Sequence, residues 1–101
     1  MNEGDKPARK DRVPLRADID FRRMGEHRYR VNILDFSPEG CRIELPERVT
    51  PGEVVWISLP GLETLQANVR WVKDWVAGVE FFAPLYPAVF EMMRDRMRQA
   101  D

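Results

Sequence analysis

The chain has a single cysteine and a single histidine among its 101 residues. One thiol cannot close an internal disulfide, and one thiol with one imidazole is too little for a zinc site. No apolar run approaches the roughly 18 residues that a membrane span requires. The opening segment MNEGDKPARKDR lacks the apolar stretch of a secretory signal, so the expectation is a cytoplasmic protein. Positive charge is not in excess either, with 16 Lys+Arg against 17 Asp+Glu and a formal net charge of −1. Sequence-blind binding of a nucleic-acid polymer depends on many phosphate contacts, and this balance argues against it. Glycine-rich phosphate loops and paired-carboxylate sets are missing as well. His27, Asp35 and Ser37 are the residue types of a hydrolytic triad, but there is no nucleophile elbow. His27 also falls in a predicted turn well before the loop that carries Ser37. The expectation is a non-enzyme with no catalytic residues, no metal and no cofactor.

The charge that is present is unevenly placed. Residues 1–30 hold nine Lys/Arg against six Asp/Glu, and residues 31–101 hold seven against eleven. Residues 1–11 contain no large apolar side chain besides Met1, so they are expected to form a flexible tail. Beyond them apolar residues recur with period two. Ile19 and Phe21; Tyr29, Val31 and Ile33; Cys41, Ile43 and Leu45; and Leu65, Ala67, Val69 and Trp71 each alternate with polar neighbours. This is the pattern of strands with one face buried. It places Cys41 in the core as a small apolar residue, and Trp71 there too, in phase with Val69. Val54–Leu59 and Val76–Phe82 read as two further strands. Met24-Gly25-Glu26, Pro51-Gly52 and Pro60-Gly61 supply turns. Six short strands with short turns imply an antiparallel barrel, which removes exposed edges.

After the strands the period changes. Leu85, Val89, Met93 and Met97 recur every four residues, with Phe90 and Met92 widening the stripe. That predicts a helix over 85–98, packed on the barrel by its methionine face, with Pro87 in its first turn. The domain then runs from 12 to 98.

Two clusters are suited to holding an anion. Arg12-Val13-Pro14-Leu15-Arg16 puts two guanidinium groups four positions apart around a proline that disfavours helix. Guanidinium forks match phosphate oxygens and stack on flat rings. Asp35-Phe36-Ser37-Pro38-Glu39-Gly40 joins two strands. There Asp and Ser can cap turn amides or bind a ligand, and Gly40 allows positive φ or a close backbone approach.

In this order and spacing the clusters resemble the PilZ domain family, bacterial receptors for cyclic di-GMP. The family pattern is RxxxR followed about twenty residues later by [DN]xSxxG. Arg12 and Arg16 match the first motif, and Asp35, Ser37 and Gly40 match the second. The likeness continues through Pro51-Gly52, Val69-Arg70-Trp71 and Gly78-Val79-Glu80-Phe81, covering about residues 12–84. It implies that the arginines pair with phosphates and stack on guanine, while Asp35 accepts from guanine N–H groups. Ser37 and the backbone around Gly40 would add further bonds. Many members that bind two ligand molecules carry another arginine before RxxxR; this chain has Asp11 there, with Arg9 and Lys10 nearby.

Trp75 falls in a turn, where it reads either as a base-stacking platform beside Gly78 or as packing against the arginine arm. The expected function is that of a cyclic di-GMP receptor whose arm closes over the ligand and which signals by contact with a protein partner. Motility, adhesion or polysaccharide secretion are the outputs the resemblance suggests. The competing readings are a nucleotide-independent PilZ-like adaptor and a small RNA-binding barrel.

Overall fold

The computed structural model describes the backbone of residues 13–99 and the side chains of residues 17–98. Six strands, β1 (Val13–Arg23), β2 (Tyr29–Ser37), β3 (Gly40–Glu44), β4 (Val54–Ser58), β5 (Leu65–Lys73) and β6 (Val76–Phe81), precede helix α1 (Pro87–Gln99). Every pairing is antiparallel, and the sheet closes as β1-β2-β3-β6-β5-β4. The expected barrel is the one observed.

Turn chemistry sets the corners. Thr50 O accepts from Glu53 N across Pro51-Gly52, where Gly52 has φ +91°. Leu59 O accepts from Leu62 N across Pro60-Gly61, where Gly61 has φ +77°. Proline before a glycine of positive φ is the type II arrangement, which a side chain at the second position would strain.

The inward residues Phe21, Ile33, Phe36, Ile43, Val55, Ile57 and Val69 are buried together. Strand β4 pairs with β1 only from Asp20 to Arg23. Helix α1 packs against β1. It buries Phe90, Met93 and Met97, with the Phe90 ring 4.9 Å from that of Phe36. Arg96 Nη1 donates to Pro60 O at 3.1 Å and ties the last turn to the β4–β5 loop. Met92 faces solvent rather than widening the apolar stripe. At 100° per residue, Val89, Phe90, Met93 and Met97 already span the face that meets the barrel.

One expectation is corrected. Trp71 is not core: it is 41% exposed. A register shift between Val69 and Trp71 inserts one residue into β5, so Val72 takes the inward position and the indole turns outward. Val13–Arg16 belong to β1, with Val13 opposite Phe36 and Pro14 opposite Asp35. Pairing with β2 gives the backbone of Val13 and Pro14 a partner there. Arg12 and the proposed tail 1–11 lie outside the described residues.

A polar cluster fastens the far end of the barrel. Arg23 donates from Nε to Glu53 at 2.5 Å and from Nη1 to Glu47 at 3.0 Å, and the Tyr29 hydroxyl donates to Glu47. Burial, then the bond to Glu47, pushes the Tyr29 phenol well above its ordinary range. Burial opposes ionisation of Glu53, but hydrogen bonds from Arg23 and the Thr50 amide outweigh it and hold its pKa below 4.5. A depressed carboxylate stabilises the fold fully above its unfolded pKa, and that contribution is lost as pH falls through the folded value. Glu53→Gln is therefore expected to cost about 1–2 kcal/mol at neutral pH. The gap to the parent protein should close as pH drops below the ordinary 4.5. Urea unfolding across pH measures both, and a gap independent of pH would rule out ionised Glu53 as its source.

Candidate functional site

The hairpin β2–β3 turns on Pro38-Glu39, so Ser37 faces Gly40, Phe36 faces Cys41 and Asp35 faces Arg42. Phe36 points into the core, where its ring lies 6.4 Å from Phe81 and 4.9 Å from Phe90. This anchor fixes the motif from inside and leaves Asp35 on the outer wall. Packing of that kind is what holds a polar site in one geometry.

Ser37 is fully buried. Its Oγ accepts from the amides of Glu39 and Gly40, both at 3.3 Å, and lies 3.3 Å from Gly40 O, to which it can donate. The hydroxyl is thus consumed in shaping the turn. Gly40 answers to close approach rather than to positive φ: a Cβ there would lie 2.0 Å from Val79 O. Phe81 N donates to Glu39 O at 2.8 Å, which draws β6 against the same turn.

Asp35 is 5% exposed, and Arg42 Nε donates to its Oδ2 at 2.5 Å. Arg42 itself is about half exposed and stands directly opposite Gly78 of β6. On the other side of Gly78 stands Trp71 of β5. The indole lies so close over Gly78 that a Cβ there would fall 2.2 Å from Trp71 Nε1. One row therefore crosses the outer wall, from Pro14 through Asp35, Arg42 and Gly78 to Trp71.

The row contains Asp35 and Gly78 of the sequence-derived site, flanked by Ser37 and Gly40 as its turn. It does not contain Trp75. That residue sits in the two-residue β5–β6 turn after Asp74, whose φ is +57°. Trp75 is 52% exposed, with the Arg48 guanidinium 5.1 Å from its ring centroid. The aromatic surface beside Gly78 is Trp71. The Arg16 side chain and all of Arg12 lie outside the described residues, although the pairing of Val13 and Pro14 brings their segment beside the Asp35 motif. Sequence reasoning missed Arg42 and Trp71. Both could be found by counting back from two-residue turns, which force Asp35 opposite Arg42 and Trp71 opposite Gly78.

Chemically, the row offers a buried carboxylate, a half-exposed guanidinium and a flat indole lying over Gly78. That set can accept N–H groups, neutralise an anion and support a planar ring. Among the described residues no cluster of His, Cys, Asp and Glu could hold a metal ion. No described helix is long and apolar enough to cross a membrane.

A family model of the PilZ domain matches residues 7–95. Among solved structures, the chain is similar to the crystal structure of the PilZ domain of CeSA from a cellulose synthesizing bacterium. The TM-score is 0.58 at 17% identity, covering 88% of this chain and 95% of that one. At this identity the likeness shows the fold. A search of curated proteins gives no match. The family match spans nearly the whole chain, and the barrel sets the two motif segments side by side. The chain therefore belongs to the PilZ domain family, whose members are in general cyclic di-GMP receptors rather than enzymes.

Proposed function

We propose that this chain is a cyclic di-GMP receptor that binds its ligand across the outer row of the barrel and signals by contact with a protein partner. The observation that carries this reading is register. Val13 and Pro14, inside the RxxxR segment, pair with Phe36 and Asp35, inside the DxSxxG segment. Two motifs about twenty residues apart in sequence thus meet at one place on the surface. Arg12 and Arg16 would take the two phosphates, as guanidinium forks suit phosphate oxygens. Asp35, oriented by Arg42, would accept from a guanine edge. Ser37 and Gly40 serve by holding the turn, and Gly78 by letting the Trp71 indole lie flat for a base to stack on.

An isolated binding domain carries no output of its own, so the signal has to leave through a surface that the bound ligand alters. Motility, adhesion or polysaccharide secretion are the outputs the family resemblance suggests.

Isothermal titration with cyclic di-GMP tests the reading, and absence of binding would refute it. Trp71→Ala is expected to lower affinity by about 1–3 kcal/mol, the range for loss of one base–aromatic stack. Trp75→Ala should cost less affinity, because Trp75 stands off the row. The reverse ranking would move the platform to the hairpin tip.

A further inference from the structure

A groove of about 340 Å³ lies on the outer wall where β1 meets β4, lined by Asp20, Arg22, Arg28, Trp56, Ser58 and Thr64. It shares no residue with the Asp35 row. Asp20 and Arg22 follow Pro14 by six and eight positions, which at strand rise is roughly 20 Å or more along β1. We propose that this groove is a second binding site, one that takes the phosphate group of a small phosphate-bearing ligand.

Three features support this. Arg22 lies opposite Trp56, and its guanidinium carbon sits 4.3 Å from the indole centroid. A guanidinium stacked on an indole keeps its in-plane N–H groups available while its plane is fixed, which presents a ready fork to two oxygens. Among the described residues Arg22 makes no ion pair; its one hydrogen bond is a 3.5 Å contact to Arg23 O. Arg28, exposed on the β1–β2 connection, faces the same groove and has no carboxylate partner among the described residues. Two guanidinium groups that make no ion pair among the described residues, set around one groove, suit a dianion better than a single carboxylate. The third feature is the hydroxyl pair of Ser58 and Thr64, whose oxygens are 2.9 Å apart. One of the two donates to the other, and the remaining hydroxyl hydrogen is left to donate to an oxyanion. Asp20, the one acid in the lining, lies 3.6 Å from Arg30, which offsets its repulsion. The volume is at the low end for small-molecule sites, about 300–1,000 Å³, so it admits a phosphate together with a ring-sized group.

The site stands or falls independently of cyclic di-GMP binding at the Asp35 row. The test is a ¹H–¹⁵N titration of the full chain at constant ionic strength, following the Trp56 indole N–H and the Arg22 Nε–H. Trp56→Phe assigns the indole signal. Adenosine monophosphate, inorganic phosphate, adenosine and acetate are added separately. Saturable shifts are expected with the monophosphate and with phosphate, and none with adenosine or acetate. Tighter binding of the monophosphate would identify a nucleotide-like ligand; equal binding would identify free phosphate as sufficient. Arg28→Gln, an exposed change that spares the fold, should weaken both by about tenfold or more. It should leave the amides of Asp35 and Gly78 unshifted. No response to either phosphate at millimolar concentration would overturn the proposal. So would an equal response to acetate or adenosine, or an Arg28→Gln protein that binds as the parent does.

Discussion

Replacing both Arg12 and Arg16 by alanine is expected to weaken cyclic di-GMP binding at least a hundredfold, with the barrel still folded by circular dichroism. Each arginine facing a phosphate makes a charge-assisted contact worth about 2 kcal/mol net. Two such losses amount to about 4 kcal/mol if independent, and every 1.4 kcal/mol is about tenfold in affinity. Neighbouring charges on one ligand couple, so the expected loss is set at a hundredfold, below the simple sum. The motivation is positional: strand β1 carries Pro14 to a place directly opposite Asp35. Each single substitution should show part of the loss, and Lys in place of Arg should recover only some of it, because an ammonium lacks the planar fork. Binding within tenfold of the parent protein in the double variant would mean that the RxxxR segment is not the phosphate clamp.

The barrel was legible because one wet face and one dry face impose alternation, and because turn residues such as Pro51-Gly52 and Pro60-Gly61 mark the ends of strands. Alternation fails where a strand slips register. Val69 and Val72 both face inward although three residues apart, and the extra residue between them turns Trp71 outward. The same spacing separates Ile33 from Phe36 on β2, with a register shift against β3 that leaves Asp35 on the outer wall. Both slips lie on the row that forms the candidate site. This is where local pattern and final geometry are expected to part, since bulges re-aim side chains beside binding sites. The motif residues themselves were legible by type, yet their division of labour was not. Ser37 turns inward to hold amides, and Arg42, outside any recognised motif, donates to Asp35.

Gly40→Ala is expected to be the most destabilising single glycine substitution in the chain, costing about 3 kcal/mol or more. The added Cβ would sit 2.0 Å from Val79 O and 3.0 Å from Val79 C, both backbone atoms that cannot rotate away. Relief requires β3 and β6 to part where Gly40 faces Glu80 and Cys41 faces Val79. Parting them also loosens the 2.8 Å bond from Phe81 N to Glu39 O and the amide bonds that Ser37 Oγ holds. Overpacking alone costs about 1–3 kcal/mol, and strained buried hydrogen bonds add to it. For a domain of this size each kcal/mol lowers the melting temperature by about 4–8 °C. Gly25 offers the comparison: it has φ +74° but no atom within 4 Å of an added Cβ. Alanine there meets only the left-handed backbone penalty of about 1–2 kcal/mol. Calorimetry of both variants separates the two causes. A Gly40→Ala protein that melts at or above the Gly25→Ala protein would show that β3 and β6 have room to spare, and would reopen Gly40 as a residue that contacts ligand rather than one that lets two strands meet.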